Sequence, residues 1–280
     1  MSDFYEFLKI TRQAHQQARK RNQKQLAIFD KIRIFIQDQR VAHGGGGLKK
    51  LYHQMPNKPT GRDIFIKYAT KAGLALKRRK KHIRTIFSIF SMYSNLLANA
   101  ILTDINQAWS GDITYVHIGQ NHAYVFLLMD LYSRRLLGYI ASDSMLASIN
   151  VSCLKMAIRT RKEQSLKGTI HHSDRGSQYI AGDYLIMLQD HNFKISMCSS
   201  ALDNAFSERI NRIIKEEYLD HHRFETLSEL QKTLKQSVYH YNHVRPHLKL
   251  NMMTPIEFEK HIQLVKPENR IKVIIAPEHK

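Results

Sequence analysis

The chain has 280 residues, enough for two or three small domains, with a formal net charge of +19 and a sequence pI of about 9.9. It contains no run of eighteen apolar residues and no signal-peptide core, which predicts a soluble protein of the cytosol that does not associate with membranes. The two cysteines, Cys153 and Cys198, indicate reduced thiols, and the first hundred residues contain no cysteine that could complete a His2Cys2 zinc module.

Positive charge is concentrated at the start of the chain. Residues 1–100 carry 21 Lys and Arg against 5 Asp and Glu, whereas residues 101–280 carry 22 against 19. A basic segment joined to a nearly neutral one is typical of a phosphate-binding module attached to a catalytic module. A solvated or disordered basic tail is the alternative, although the segment also contains apolar residues that could pack.

Helices are predicted throughout the basic segment, at about residues 3–40, 47–55 and 60–72. Thr60 can cap the third helix and Gly73 can end it. Short helices separated by tight turns are consistent with a helix-turn-helix, so residues 1–75 are predicted to form a small all-α DNA-binding module. Residues 76–106 follow as a basic connector. The glycines at 44–47 are unusual because glycine weakens a helix by about 1 kcal/mol relative to alanine.

Eight elements are predicted next, in the order strand, strand, strand, helix, strand, helix, strand, helix. They span about residues 109–118, 122–129, 134–141, 147–163, 169–172, 178–191, 193–197 and 203–218. Hairpin-like spacing joins the first three strands into an antiparallel meander. The order predicts an α/β domain with a mixed five-stranded sheet flanked by helices. A helix at about 226–243 follows, and the apolar stretch 271–276 in the tail is either an added strand or a partly ordered end.

Three acidic residues occupy positions that such a fold could bring together. Asp112 lies in the first predicted strand of the sheet, Asp174 follows the fourth, and Glu208 lies on the last helix, opposite its apolar face. Gathered carboxylates can hold two divalent metals, which stabilise the entering and leaving oxygens of a phosphoryl transfer. Most of the 24 acidic residues are surface charges. Asp130 has the alternative role of a turn former, and Asp203 that of a helix N-cap.

Six short motifs follow one another along the chain. They are W-S-G-D-I-T-Y at 109–115, M-D-L-Y-S-R-R at 129–135, H-S-D-R-G-S-Q-Y at 172–179, D-N-A-F-S-E-R-I-N at 203–211, Y-N-H-V-R-P-H at 241–247 and T-P-I-E-F at 254–258. Over roughly residues 30–262 the chain resembles the second-reading-frame transposases of the third family of insertion sequences, whose core is similar to retroviral integrase.

The resemblance implies an RNase H-like core at residues 107–262, with Asp112, Asp174 and Glu208 as the metal-binding catalytic triad, and a C-terminal tail at 263–280. It implies a DNA transposase that uses two Mg²⁺ ions, replaceable by Mn²⁺. Such an enzyme nicks DNA with water and transfers the freed 3′-hydroxyl to another phosphodiester. The expected partners are element-end and target DNA, an upstream reading-frame protein or frameshift fusion, and further copies of the chain.

Predicted DNA contacts fall on basic side chains of the helical module, the connector and the last core helix. They are Arg62, Lys67, Lys71, Lys77, Arg78, Arg79, Lys80, Lys81, Arg212 and Lys215. His172, close to Asp174, could orient substrate. Arg245-Pro-His247 fits a simple helix stop at least as well as a DNA contact, because Pro246 disfavours helix at the residue before it.

The spacing between Asp174 and Glu208 departs from the family pattern. It is 33 residues, slightly fewer than is usual, and the shortfall lies at residues 198–202. A tightened loop there could misplace Glu208, so the alternative function is a catalytically impaired remnant that only binds DNA or represses transposition. A ribonuclease H or simple nuclease on the same fold is a second alternative, which the basic helical module counts against.

Overall fold

The computed structural model describes residues 11–76, 93–162, 164–198 and 205–277. The chain divides into two compact units, Met1–Arg79 and Lys80–Lys280. No helix in the described ranges is both long and apolar enough to cross a membrane. Asp203, predicted as a helix cap, and the end of the shortened loop before Glu208 lie outside the described residues.

The described residues of the first unit form three helices, as predicted: α1 (Arg12–Ala42), α2 (Leu48–Gln54) and α3 (Arg62–Lys71). Thr11 caps α1 by accepting a hydrogen bond from the backbone N–H of Ala14, at 3.0 Å. The apolar sides of the three helices meet in a small core. Its buried members are Ile32, Ile36, Leu51, Met55, Phe65 and Ala69. This core shows that the basic segment packs as a folded unit rather than as a solvated tail.

The predicted start of α3 is wrong, whereas its predicted end is confirmed. The prediction that Thr60 caps this helix is wrong, because Gly61 is the N-cap and no side chain makes a capping hydrogen bond. Gly73 does end it, with φ at +73°, and Leu74 donates to the Ala69 carbonyl at 2.8 Å. That left-handed stop favours glycine, which has no side chain to clash. Gly47 is the N-cap of α2, where glycine carries no helix penalty.

The second unit is built on a five-stranded mixed sheet. The described strands of this unit are β1 (Ile101–Leu102), β2 (Ala108–Ile118), β3 (Asn121–Asp130), β4 (Leu136–Ser142), β5 (Ile170–Ser173), β6 (Lys194–Met197) and β7 (Val273–Ile274). The sheet order is β4-β3-β2-β5-β6, with β2, β3 and β4 antiparallel and β5 and β6 parallel to β2. An antiparallel meander continued by parallel strands is the topology expected of an RNase H-like core, which confirms the predicted fold class.

Helices cover both faces of this sheet. The helices are α4 (Ala147–Thr160), α5 (Gly182–Asp190), α6 (Ala205–Glu217), α7 (Leu227–His243) and α8 (Pro255–Leu264). Side chains alternate between the faces of β3, so Val125 and Leu127 pack with α6, α7 and α8, whereas Phe126 and Leu128 pack with α4 and α5. The result is a three-layer α/β unit whose central strand, β2, contacts helices on either side.

Two parts of this unit differ from the sequence prediction, and a third shows which of two predicted alternatives the C-terminal tail adopts. The helix predicted over 178–191 is interrupted: a 3-10 turn at Ser177–Tyr179 precedes α5. Strand β7, in the apolar stretch of the tail, pairs antiparallel with β1, so this stretch forms the added strand. Helix α8 was not predicted, although Thr254 and Glu257 form a capping box at its start.

Replacing Gly138 with alanine should destabilise the second unit. Gly138 lies on β4, and a Cβ there would stand 2.4 Å from the backbone oxygen of Cys153 on α4. Because the obstacle is backbone, the helix must shift, which we expect to lower the free energy of unfolding by about 1–3 kcal/mol. Gly182→Ala is the matched control, since a Cβ at that position meets nothing within 4 Å. Urea unfolding measures both, and equal stability of the two variants would refute the close approach of β4 and α4.

Candidate active site

Asp112 is buried on the face of β2 that α6 covers. Its Oδ2 accepts a hydrogen bond from the Asn211 side-chain amide at 2.7 Å, and its Oδ1 accepts one from the backbone N–H of Ile113 at 2.9 Å. Two residues earlier on the same face, the Ser110 hydroxyl lies 2.5 Å from the hydroxyl of Ser207. These polar contacts fix α6 across β2 at the position of Asp112.

Asp174 directly follows β5, the parallel neighbour of β2. Within the paired strands Trp109 is opposite His171 and Ser110 is opposite His172. Continuing this register by two residues brings Asp174 level with Asp112. The Asp174 Oδ1 accepts from the Gly176 backbone N–H at 2.9 Å. Burial raises the pKa of the Asp174 carboxyl, since desolvation opposes its negative charge.

Tyr179 gives independent support for the proximity of the two aspartates. Its phenol is fully buried, and burial raises the Tyr179 pKa well above its usual value. The nearby charges of Asp174 and Asp112 raise the pKa of Tyr179 further. The Tyr179 ring also lies against Gly111, where an added Cβ would stand 3.4 Å from the phenol oxygen. The charges of Asp112 and Asp174 therefore both reach the buried phenol of Tyr179.

Glu208 lies in the first turn of α6, and its side chain is partly buried. The prediction that it faces away from the apolar side is wrong in detail. The buried side of α6 consists of Ser207, Ile210, Asn211 and Ile214, so Glu208 borders that side instead of opposing it. Ser207 and Asn211 are polar, yet they are buried because they hydrogen-bond to β2. The hydrophobic pattern of the sequence therefore does not show that Ser207 and Asn211 lie on the buried side of α6.

The three carboxylates are not gathered into one metal-sized cluster. Within the described ranges, no group of three or more His, Cys, Asp or Glu side chains could hold a metal ion together. The donor set nevertheless suits a hard cation, which prefers oxygen ligands. Asp174 is a desolvated carboxylate, and the side-chain oxygen of Asn211 is buried without a hydrogen-bond partner. A cation beside Asp112 would neutralise the Asp174 carboxylate and would give the Asn211 side-chain oxygen a partner.

The two histidines before Asp174 are internal packing residues. The Nδ1 of His172 lies 2.8 Å from the Ser196 hydroxyl, and its Nε2 lies 3.2 Å from the Cys198 sulfur. Only 1% of His172 is exposed, so the expectation that it orients substrate is wrong. His171 lies 2.8 Å from the Tyr184 hydroxyl, and burial lowers its pKa to about 3. The contacts of the two rings hold β5 against β6 and against α5.

Basic residues predicted to contact DNA lie in both units. Those that the structure describes are Arg62, Lys67, Lys71, Arg212 and Lys215. The first three are exposed on α3, and Arg62 pairs with Asp63 at 3.0 Å. Arg212 is exposed on α6, whereas the ammonium of Lys215 lies 5.5 Å from the Tyr115 ring centroid. The run at 77–81 falls outside the described residues.

Two motif residues that are not part of the candidate site have structural roles. Arg245 is buried and donates to both oxygens of Glu217, at 2.6 and 2.7 Å, which supports the structural interpretation of this segment over a DNA contact. Asp130 accepts from the backbone N–H groups of Tyr132 and Ser133, at 3.0 and 2.9 Å, so it is the turn former that the sequence suggested.

Comparisons with known proteins identify the same core. A family model for the integrase core domain matches residues 103–201, and a second with the same description matches residues 190–255. The uncharacterized 31 kDa protein of insertion element IS600 from Shigella sonnei is 31% identical over 211 residues, which cover 73% of this chain and 77% of that protein. Transposase InsF of insertion sequence IS3A from Escherichia coli K12 is 32% identical over 157 residues, 55% of this chain and 54% of that transposase.

Among solved structures, the chain is similar to the HTLV-2 integrase catalytic core domain in complex with magnesium. The two are 16% identical with a TM-score of 0.45, over 56% of this chain and 97% of that domain. The sheet topology and the two matching family models define a protein with an integrase core domain. The chain belongs to the IS3 family of insertion-sequence transposases, and it spans about half the length of the InsF relative.

Proposed function

We propose that the chain is a DNA transposase that cleaves and rejoins DNA strands at a divalent-metal site made by Asp112, Asp174 and Glu208. The observation that carries the proposal is that β2, which bears Asp112, pairs in parallel with β5, which Asp174 directly follows. The helix that bears Glu208 crosses the same strand, through the Ser110–Ser207 and Asp112–Asn211 contacts. Family membership and the integrase core support the same function.

The three carboxylates would hold Mg²⁺, as a pair of ions, with Mn²⁺ able to substitute. When bound, such ions stabilise the entering and leaving oxygens of a phosphoryl transfer. Asp174 is suited to this role because its burial makes a neighbouring positive charge favourable. Glu208 would complete the site from the first turn of α6, the helix whose Asn211 donates a hydrogen bond to Asp112.

Two successive reactions are proposed at this site. In the first, the oxygen of water attacks a phosphodiester at the element end, the bond to the 3′ oxygen breaks, and the departing oxygen takes up a proton as a free 3′-hydroxyl. In the second, that hydroxyl attacks a phosphodiester of target DNA and displaces its 3′ oxygen, while a proton passes from the attacking to the leaving oxygen. The protein positions the strands and supplies electrostatic stabilisation, the main requirements of phosphoryl transfer.

The proposed partners are element-end and target DNA in the bacterial cytosol, an upstream reading-frame protein or fusion, and further copies of the chain. The exposed cations of α3, with Arg212 and Lys215 on α6, would contact DNA phosphates. The basic run at 77–81 would contribute further contacts.

A second candidate is a remnant that binds DNA without cutting it. The observation that favours it is that the described residues contain no group of three carboxylates that could hold a metal ion. The deciding experiment supplies element-end DNA, the upstream protein and Mg²⁺ or Mn²⁺ to the unmodified chain. Strand cleavage supports the transposase, and tight binding without cleavage in either metal supports the remnant.

Deleting residues 1–79 should remove most of the non-specific DNA affinity. This unit carries most of the excess positive charge, and each phosphate that it neutralises releases counterions. We expect the truncated chain to bind a duplex more weakly, with a flatter dependence of log K on log salt concentration. Fluorescence anisotropy over a series of KCl concentrations measures both. Equal affinity and slope for residues 80–280 would show that the basic unit has another role.

A further inference from the structure

Helix α1 extends well beyond the core that its second half helps to build. Ile32 and Ile36 are buried in the core of the first unit, and Ile28 and Phe29 pack against that core. Every residue from 12 to 27, by contrast, is exposed. The first half of α1 therefore buries no side chain within the part of the chain that the structure describes. We call residues 12–27 the projecting segment.

The projecting segment is cationic and contains little apolar surface. It has no Asp or Glu, six amide side chains and five cations. The cations are Arg12, Arg19, Lys20, Arg21 and Lys24. Its apolar residues are three alanines and Leu26, which do not form the repeating seam that pairing with a second copy as a coiled coil needs. A polyanion is therefore the partner that its charge fits.

The projecting segment lacks the ion pairs that commonly stabilise an exposed helix. Side chains of opposite charge one turn apart stabilise such a helix, but the segment has no acidic residue to supply them. Lys20 and Lys24 are instead like charges four positions apart, which destabilise it. The ion pair between Asp30 and Arg33 lies beyond the segment, on the half of α1 that the core supports. A bound polyanion would neutralise the repulsion within the segment.

One face of the projecting segment combines cations with amides. Its residues follow the spacing of three and four positions that places side chains on one side of a helix. They are Arg12, Gln16, Arg19, Lys20 and Gln23. At about 100° per residue this face lies opposite Ile32 and Ile36, so it points away from the core. With a rise of about 1.5 Å per residue it runs for about 17 Å along the helix axis.

We propose that this face of the projecting segment binds the phosphate backbone of duplex DNA while α1 remains a continuous helix. The proposal rests on the proposed function and adds a DNA contact to those of α3 and α6. Arg, Lys and Gln side chains all donate hydrogen bonds to phosphate oxygens, and the major groove is wide enough to admit an α-helix.

A duplex fits this face better than a small anion does. Duplex DNA carries one negative charge per about 1.7 Å of its axis, so a face of about 17 Å meets phosphates along its whole length. A single small anion would neutralise only part of a face that carries three cations, Arg12, Arg19 and Lys20. The match in length and charge is therefore to a polyanion with phosphates in series.

The first test is the salt dependence of duplex binding by the full chain. A fluorescent duplex is titrated without divalent metal at several KCl concentrations. The double change Arg19→Gln and Lys20→Gln should reduce the magnitude of the slope of log K against log salt concentration by about two. Glutamine has nearly the same helix propensity as arginine and lysine, so α1 is retained. The matched control, Lys232→Gln with Lys235→Gln at exposed positions of α7, removes an equal charge and should keep the wild-type slope.

The second test separates a continuous helix from a flexible basic tail. Ala27→Pro keeps every charge but interrupts α1 where the projecting segment joins the half that the core supports. A segment of about fifteen residues is marginal as an isolated helix, so we expect helix content to fall in circular dichroism. Duplex affinity in 0.1 M KCl should fall about tenfold or more, the contribution of at least one phosphate contact. Proline is tolerated in the first turn of the helix that remains, and Ala27→Ser is the control that keeps α1 intact.

A wild-type slope for the Arg19→Gln and Lys20→Gln double variant would overturn the proposal and assign the segment another anionic partner, such as an acidic protein surface. Wild-type affinity of Ala27→Pro would also overturn it, because positive charge without a continuous helix would then suffice. Cleavage of element-end DNA is scored separately. A wild type that never cleaves refutes the proposed function, and a reduced slope in the double variant would still support the DNA contact. Cleavage together with unchanged slopes refutes the contact alone.

Discussion

Replacing Asp174 with asparagine should abolish DNA cleavage and strand transfer in Mg²⁺ while DNA binding persists. The change keeps the size of the side chain and an oxygen that can accept from the Gly176 backbone N–H, so the segment after β5 keeps its geometry. It removes the negative charge that a divalent cation needs at this position. We expect the cleavage rate to fall by at least about a hundredfold, the upper range for losing even an indirect partner of a metal ligand.

The control for this experiment is Asp190→Asn, which removes an equal charge from an exposed position at the end of α5. The unmodified chain and the control must cleave labelled element-end DNA in the same gel assay. Duplex affinity, measured alongside, should be unchanged or slightly higher in Asp174→Asn, since the site loses a negative charge. Cleavage by Asp174→Asn at the wild-type rate would show that Asp174 is not a metal ligand.

Replacing Arg161 with methionine should give the largest loss of stability of any change considered. Arg161 is buried at the end of α4, where its guanidinium donates to both carboxylate oxygens of Glu259 and lies 3.6 Å from Asp130. Without it, Glu259 keeps Arg135 as its cation, but Asp130, which is wholly inaccessible to solvent, keeps only hydrogen bonds and loses its nearest positive charge. Breaking a buried ion pair in this way costs about 3–5 kcal/mol in the free energy of unfolding.

Arg159→Met tests whether the loss of stability in Arg161→Met comes from the contacts with Glu259 and Asp130 or from a change in the helix α4 itself. Arg159 is exposed two residues earlier, so we expect its replacement to change stability by no more than about 0.5 kcal/mol. Urea unfolding followed by circular dichroism measures both variants. A similar small effect for Arg161→Met would mean that the buried carboxylates find other partners or are protonated in the native state.

The strands of the sheet could be predicted because local sequence determines them. Alternating and continuous apolar runs specify β2 and β3, and the antiparallel meander follows from their short connections. Asp112 lies on β2 and Asp174 directly follows β5, as predicted, and these two strands pair in parallel. The surroundings of Glu208 could not be predicted. They depend on Ser207 and Asn211, polar residues that are buried only because Ser110 and Asp112 lie opposite them.

Contacts between distant parts of the chain account for the other misses. Arg161 and Glu259 are 98 positions apart, and the sequence around each residue does not indicate that the two form a buried ion pair. The break between the 3-10 turn and α5 has a similar origin. The turn buries Gln178 and Tyr179, and the Tyr179 ring reaches Gly111 on β2. The position of the Tyr179 ring depends on its packing against β2. The helical pattern of residues 178–191 carries no information about that contact.

The most direct measurement of the central claim is the location of Mn²⁺ by anomalous scattering in crystals of the chain. We expect Mn²⁺ bound by carboxylate oxygens of Asp112, Asp174 and Glu208. Crystals of Asp174→Asn should lose that signal. An intact fold in which Mn²⁺ binds elsewhere, or in which Glu208 stays apart from an ion held by the two aspartates, would contradict the three-carboxylate site.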